Sequence, residues 1–118
     1  MENEKLLQEQ ETEEMKDEGI VDVQEYMKVT LSKPYRLDGK EIREIDMNGL
    51  EDLTGGDMIA INRMMKKRGN VDASPEFTLE FAFFAAMQAT GLPLEFFYGL
   101  SMKDSIKVKM RANYFLMY

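Results

Sequence analysis

Residues 75–87 read PEFTLEFAFFAAM, the most apolar stretch of an otherwise acidic chain. As far as Gln88, its only polar side chains are Glu76, Thr78, Glu80 and Gln88 itself. Wound at about 3.6 residues per turn, the two glutamates and Gln88 share one side, with Phe84 between them. Phe77, Leu79, Phe81, Ala82, Phe83, Ala85, Ala86 and Met87 cover most of the remaining circumference. A helix that is apolar nearly all round is enclosed by its neighbours. Ser74 is a good N-cap, Pro75 suits the first helical position, and Gly91 supplies the stop. The spacing therefore predicts a central core helix over about residues 75–90. It falls short of the ~20 apolar residues of a membrane span, and Glu80 sits inside it.

One domain is the default for 118 residues. The chain has no Cys, His or Trp. This removes disulfides, the thiolate nucleophile, the commonest general base and the commonest metal ligand. The start, MENEKLLQEQETEE, has no apolar core of the kind a signal peptide needs, so a soluble intracellular protein is expected. Residues 1–19 hold seven Glu, one Asp and two Lys, a net −6, which leaves −1 of the total −7 for the other 99 residues. The acidity belongs to a tail, with too little apolar content over residues 1–24 to offset the entropy of ordering. With no basic patch, nucleic acid is not an expected partner. A near-neutral folded part also argues against an acidic mimic of nucleic acid. The eleven methionines serve either as fillers of core gaps or as an adaptable surface for a helical partner.

From Tyr26 the pattern becomes that of strands, since Met27, Val29 and Leu31 alternate with Lys28, Thr30 and Ser32. Asp38-Gly39 marks a type I′ hairpin turn within a hairpin over residues 26–47. A two-residue loop pairs Leu37 with Lys40 and Tyr35 with Ile42. Continued strictly, that register sets Leu31 against Asp46. One extra residue at Lys33-Pro34 would place Leu31 opposite Ile45 and Val29 opposite Met47, so a bulge is expected there. A lone hairpin is marginal, and it must lie on the helices or join a neighbour's sheet. Thr54 and Asp57 form a capping-box variant at the start of a helix over about 55–68, which Gly69 ends. Leu94 to Tyr98 suggests one helical turn. Ser101, with Asp104 three residues on, opens a segment over 102–117 whose alternation mimics a strand. Its stripe of Met102, Ile106, Met110, Tyr114 and Met117 follows helical spacing, and length and cap decide for helix. The fold class is thus α+β and mostly helical: an N-terminal hairpin packed with three main helices after a disordered acidic tail, in a single domain over 25–118.

Carboxylates are the only plentiful reactive groups, and none has the spacing of a metal loop. Gly55-Gly56 opens a helix, but no P-loop lysine follows and Asp57 already occupies that helix end. Thr54 has no histidine to activate it. An enzyme is not expected, nor a cofactor, a metal or a small-molecule substrate. Binding through apolar surface remains. Tyr114 to Tyr118 and Phe96 to Tyr98 either close the core around the central helix or form an exposed patch for another helix or a second copy.

The run LSKPYRLDGKEIREIDMNGLEDLTGGDMIAI (residues 31–61) resembles the small tail assembly chaperones of long-tailed bacteriophages. The resemblance rests on Leu31, Lys33, Pro34 and Gly39, then on Leu53, Thr54, Gly55, Asp57 and Met58. Gly91-Leu92-Pro93 and the capped last helix are similar as well, and coverage is about residues 26–118. Gly56 departs from the pattern, since a bulkier residue would strengthen the first turn. The resemblance implies a protein that binds the long helical tape measure protein and keeps it soluble until tail tube subunits polymerise around it. It implies action in the bacterial cytoplasm and absence from the finished virion. It also implies, in many phages, a second longer product made by translational frameshifting. The alternative is a structural protein retained in the tail or its completion complex. Candidate partner contacts, chosen from the apolar surplus rather than from the family motif, are Met64, Met65, Met110, Tyr114, Phe115 and Met117.

Overall fold

A computed structural model describes residues 22–117. The expectation of an unstructured tail over 1–24 falls on residues outside this range except for the last three. There the Asp22 carboxylate accepts from the Glu25 amide and caps a single-turn helix α1, Val23–Tyr26. Strands β1 (Lys28–Leu37) and β2 (Lys40–Asp46) form the antiparallel hairpin, and a 3₁₀ helix spans Met47–Asp52. Helices α2 (Gly55–Lys67), α3 (Leu79–Thr90), α4 (Leu94–Tyr98) and α5 (Met102–Met117) complete the α+β arrangement that the hydrophobic patterns imply.

Helix α3 is the central element. All six residues from Phe81 to Ala86 are buried, and α2, α4, α5 and the 3₁₀ helix all pack around it. Its beginning differs from expectation. Ser74 makes no side-chain cap, and Pro75–Phe77 form a separate 3₁₀ turn. Thr78 is the actual N-cap: its hydroxyl donates to the Pro75 carbonyl at 2.8 Å and accepts from the Phe81 amide at 3.1 Å. A threonine that satisfies both sides of a break competes with the continuous helix that proline placement suggests. Gly91 ends α3 in the left-handed region, at φ 83°. The Thr54–Asp57 capping box forms with both reciprocal bonds.

The hairpin turn at Asp38-Gly39 has positive φ at both residues, as type I′ requires. Leu37 pairs with Lys40 and Tyr35 with Ile42, but beyond the irregularity Val29 faces Ile45 rather than Met47. The bulge lies where expected and is larger: Leu31 to Pro34 stand against Arg43 alone. An excess of three residues has the same parity as an excess of one, so Val29, Leu31, Ile45 and Met47 are all buried either way. Alternation cannot separate the two. What enlarges the bulge is that the Ser32 amide leaves β2 and donates instead to the Asp104 carboxylate of α5, at 2.9 Å.

The 3₁₀ helix seats Leu50 in the core and brings Gly49 against the end of α3. A Cβ at Gly49 would strike the Ala89 carbonyl oxygen, a backbone atom, so this approach needs glycine.

Candidate protein-interaction surface

Helix α5 is fastened along the side that faces β1. At its start the Ser101 hydroxyl accepts from the Asp104 amide at 3.1 Å. In a capping box the Asp104 carboxylate would return to the Ser101 amide. Here it turns inward, fully buried, and accepts from the Ser32 amide (2.9 Å), the Ser32 hydroxyl (2.9 Å) and the Tyr35 hydroxyl (2.9 Å). Tyr35 supplies the missing reciprocal bond, its oxygen accepting from the Ser101 amide at 3.0 Å. The Lys107 ammonium lies 3.5 Å from Asp104 and donates to the Thr30 carbonyl at 2.8 Å. Burial pushes the Asp104 carboxyl up, but the Ser32 and Tyr35 donors and the Lys107 charge outweigh it and hold the group below its ordinary value. One turn further on, Arg111 donates to the Tyr26 carbonyl at 2.8 Å and stacks 4.3 Å from the Tyr26 ring centre. That ring also meets Tyr114 edge-on at 4.8 Å.

The core side of α5 is made of small residues, Ser105, Val108 and Ala112, which let the helix sit close to α3. Four of its larger apolar residues point away from the core. Met102 is 86% exposed, Ile106 49%, Met110 51% and Met117 61%. With a rise of ~1.5 Å per residue, this stripe is about 22 Å long. At about 100° per residue, Lys103 and Lys107 border one edge and Lys109 the other. Beyond that second edge, an apolar groove of about 130 Å³ lies between α5, α2 and the 3₁₀ helix, with Leu53, Met58, Ile61, Phe81, Phe115 and Leu116 in its walls.

The candidate contacts therefore part company. Met110 and Met117 lie on the exposed stripe, Phe115 lines the groove, and Tyr114 is half-buried against Tyr26. Met65 is a core residue at 1% exposure, and Met64 is partly buried beside it, both on α2 and away from the stripe. Met102 and Ile106 belong with Met110 and Met117 but were not among the candidates. Their spacing marks a helix, and a four-residue apolar repeat looks like a core face. The discriminating signal is the parallel run Ser105, Val108, Ala112, whose small side chains mark the face that packs closely. Phe96 and Phe97, the other aromatic cluster, close the core.

A second polar network holds the opposite end of α3. Glu80 accepts from Arg68 (3.1 Å), Asn70 (2.9 Å) and Tyr98 (2.9 Å), tying the end of α2 to α3 and α4. Its carboxyl is raised by burial but lowered more by Asn70, Tyr98 and Arg68, and the net position is below the ordinary value. Among the described residues no three His, Cys, Asp or Glu side chains gather as a metal site. No described helix is long and apolar enough to cross a membrane.

No curated protein and no solved structure matches the chain. A family model does, that of phage tail assembly chaperone proteins, E, or 41 or 14, over residues 28–117. The match runs from the first residue of β1 to the last of α5, and so takes in the bulge, the Asp104 anchor and the apolar stripe. With well over half of its length matched, this chain belongs to the phage tail assembly chaperone family.

Proposed function

We propose that this chaperone binds the tape measure protein of its phage through the exposed face of α5. In this reading it keeps that protein soluble until the tail tube polymerises around it. The observation that carries the reading is the stripe of Met102, Ile106, Met110 and Met117, apolar yet exposed on a helix whose other side is firmly anchored. A tape measure protein presents long apolar helical faces before assembly. A stripe of flexible, polarizable methionines about 22 Å long matches roughly four turns of such a helix and tolerates variation in its sequence. Met110 and Met117 are the proposed contacts retained from the sequence, with Met102 and Ile106 added. Action in the host cytoplasm, absence from the finished virion and a longer frameshifted product of the same reading frame belong to the same proposal.

The test is co-expression with the tape measure protein, measuring its soluble fraction and co-elution. The chaperone should raise both. The variant M102S/I106S/M110S should keep the wild-type urea midpoint and lose co-elution. Failure of the wild-type protein to bind or solubilise refutes the role, and its recovery from purified virions would establish a retained tail component instead.

A further inference from the structure

The two edges of the hairpin differ. The outer edge of β1 is taken by α5, with the Ser32 amide on Asp104 and the Thr30 carbonyl on Lys107, and it carries Pro34 and the bulge as well. The outer edge of β2 pairs with nothing among the described residues. Free edges are ordinarily guarded by proline, a bulge or repelling charge. We infer that this edge is a self-association surface: two copies of the chain join β2 to β2, antiparallel across a two-fold axis at Ile42, into a four-stranded sheet. The hairpin alone supports this, whichever partner the α5 face takes.

Backbone geometry comes first. Leu37 and Lys40 close the two-residue turn as a hydrogen-bonded pair, so Arg36 and Glu41 are the next, non-hydrogen-bonded pair. The Glu41 amide and carbonyl therefore point out of the hairpin. Arg43 stands against the bulge and has no partner of its own in the register. A sheet of two strands is marginal, and further strands stabilise it. Charge then selects both the occupant and the register. Residues 40–44 read KEIRE. An axis at Ile42 sets Lys40 against the partner's Glu44, Glu41 against the partner's Arg43, and Ile42 against the partner's Ile42. Moving the axis by one residue opposes Glu41 to Glu41 or Arg43 to Arg43, and half-steps oppose Lys40 to Arg43 or Glu41 to Glu44. Opposite charges facing across a ladder stabilise it, and like charges oppose it. Glu41 and Arg43 already form an ion pair within the chain, so the axis at Ile42 gathers four charges of alternating sign. Beside β2, between it and the end of α3, an open groove of about 460 Å³ has Ile42, Ile45, Ala89 and Leu92 in its walls. The partner's Ile42 arrives next to Ile42 at that groove and adds apolar contact. Because β1 lies between β2 and α5, such a dimer leaves both α5 stripes open.

Analytical ultracentrifugation of the full-length chain should show a concentration-dependent monomer–dimer equilibrium. Glu41→Arg and Arg43→Glu should each be monomeric at loadings where the wild type dimerises, because each sets like charges across the axis. Mixed in equal amounts, the two variants should recover the dimer, since each then meets opposite charge at both positions. The double variant E41R/R43E should dimerise alone. Both side chains are exposed, and circular dichroism verifies that every variant keeps the fold. Register is read separately. The chain has no cysteine, and across the axis Ile42 forms a non-hydrogen-bonded pair with Cα atoms about 4.5 Å apart, within disulfide reach. Ile42→Cys should therefore oxidise to a covalent dimer, and Lys40→Cys, at the end of the ladder, should not. A wild type that stays monomeric at millimolar concentration overturns the inference. So does a dimer indifferent to both single charge reversals, which would place the contact on another face. A mixture of the two single variants that stays monomeric, or an Ile42→Cys dimer that fails to cross-link, overturns it as well.

Discussion

Asp104→Ala tests the most consequential part of the architecture, because this one carboxylate joins the hairpin bulge, Tyr35 and the start of α5. The group is fully buried, and its loss strands donors that cannot all find substitutes. The Ser32 hydroxyl can rotate away. The Ser32 amide is fixed by the bulge, and the Tyr35 hydroxyl is fixed by its bond from the Ser101 amide. A hydrogen bond to a charged group is worth about 1.5–3 kcal/mol, and a stranded buried donor costs about 1–3 kcal/mol. Two fixed donors place Asp104→Ala at about 3–5 kcal/mol, the range for breaking a buried charged network. Against a total of about 5–15 kcal/mol for a domain, this is a large share. Asp104→Asn keeps the shape and one acceptor, and should cost about 1–2 kcal/mol. Urea denaturation with a shared m-value measures both. The pH dependence gives a second reading. The Asp104 carboxyl is held below its ordinary value in the folded state, so its contribution is complete above the ordinary value of about 4. It fades as pH falls through the lower, folded value. The gap between wild type and Asp104→Asn should therefore narrow in acid, whereas contributions from Glu80 and Asp46, present in both proteins, cancel. A cost below about 1 kcal/mol for Asp104→Ala, the level of an ordinary surface change, or a gap unchanged between neutral pH and pH ~3, would refute the argument that Asp104 anchors α5.

Gly49→Ala drives a Cβ into the Ala89 carbonyl and should cost about 1–3 kcal/mol by overpacking, read from thermal melts. Met65→Ala should cost about 2–5 kcal/mol as a cavity in the core, whereas Met110→Ala, on the exposed stripe, should shift the urea midpoint negligibly and weaken partner binding. Glu80→Ala removes the acceptor shared by Arg68, Asn70 and Tyr98. Because part of that cluster is solvated, it should cost about 1–2 kcal/mol, less than Asp104→Ala, by the same urea measurement.

What could be read in the sequence was decided by how local the determining physics is. The caps at Thr54 and Gly91 and the Asp38-Gly39 turn rest on contacts within a few residues, and the enclosure of α3 follows from its own all-round apolar composition; the structure reproduces them. The size of the bulge and the role of Asp104 rest on a bond between residues 32 and 104. Nothing near either residue announces that bond, and Asp104 at the third position after Ser101 looks like an ordinary capping partner. The polarity of α5 was hidden for another reason. Helical periodicity locates an apolar stripe but not the direction it faces, and in α5 four of the larger apolar residues point outward while Val108 and Ala112 point in.

That inversion explains how an apolar face can stay exposed without collapsing into the protein. A helix carrying Met102, Ile106, Met110 and Met117 gains by rolling those side chains onto the core, by about 25 cal/mol for each Å² covered. The roll is opposed because Asp104, Lys107 and Arg111 follow one another along the β1-facing side, each bonded to a backbone group of α1 or β1. Turning the stripe inward would break all three bonds and bring a buried carboxylate and two cations toward solvent or, worse, into apolar surroundings. The charged anchors thus fix the orientation of α5 as well as holding it to the fold. Asp104→Ala should therefore do more than destabilise: in molecules that remain folded, α5 should be freer to rotate, and the stripe should lose exposure. Oxidation by dilute peroxide, followed residue by residue with mass spectrometry, reports methionine accessibility. Met102, Met110 and Met117 should each oxidise more slowly, relative to free methionine added as an internal standard, in Asp104→Ala than in wild type. An unchanged or faster ratio would mean that close packing of Val108 and Ala112 alone sets the orientation of α5.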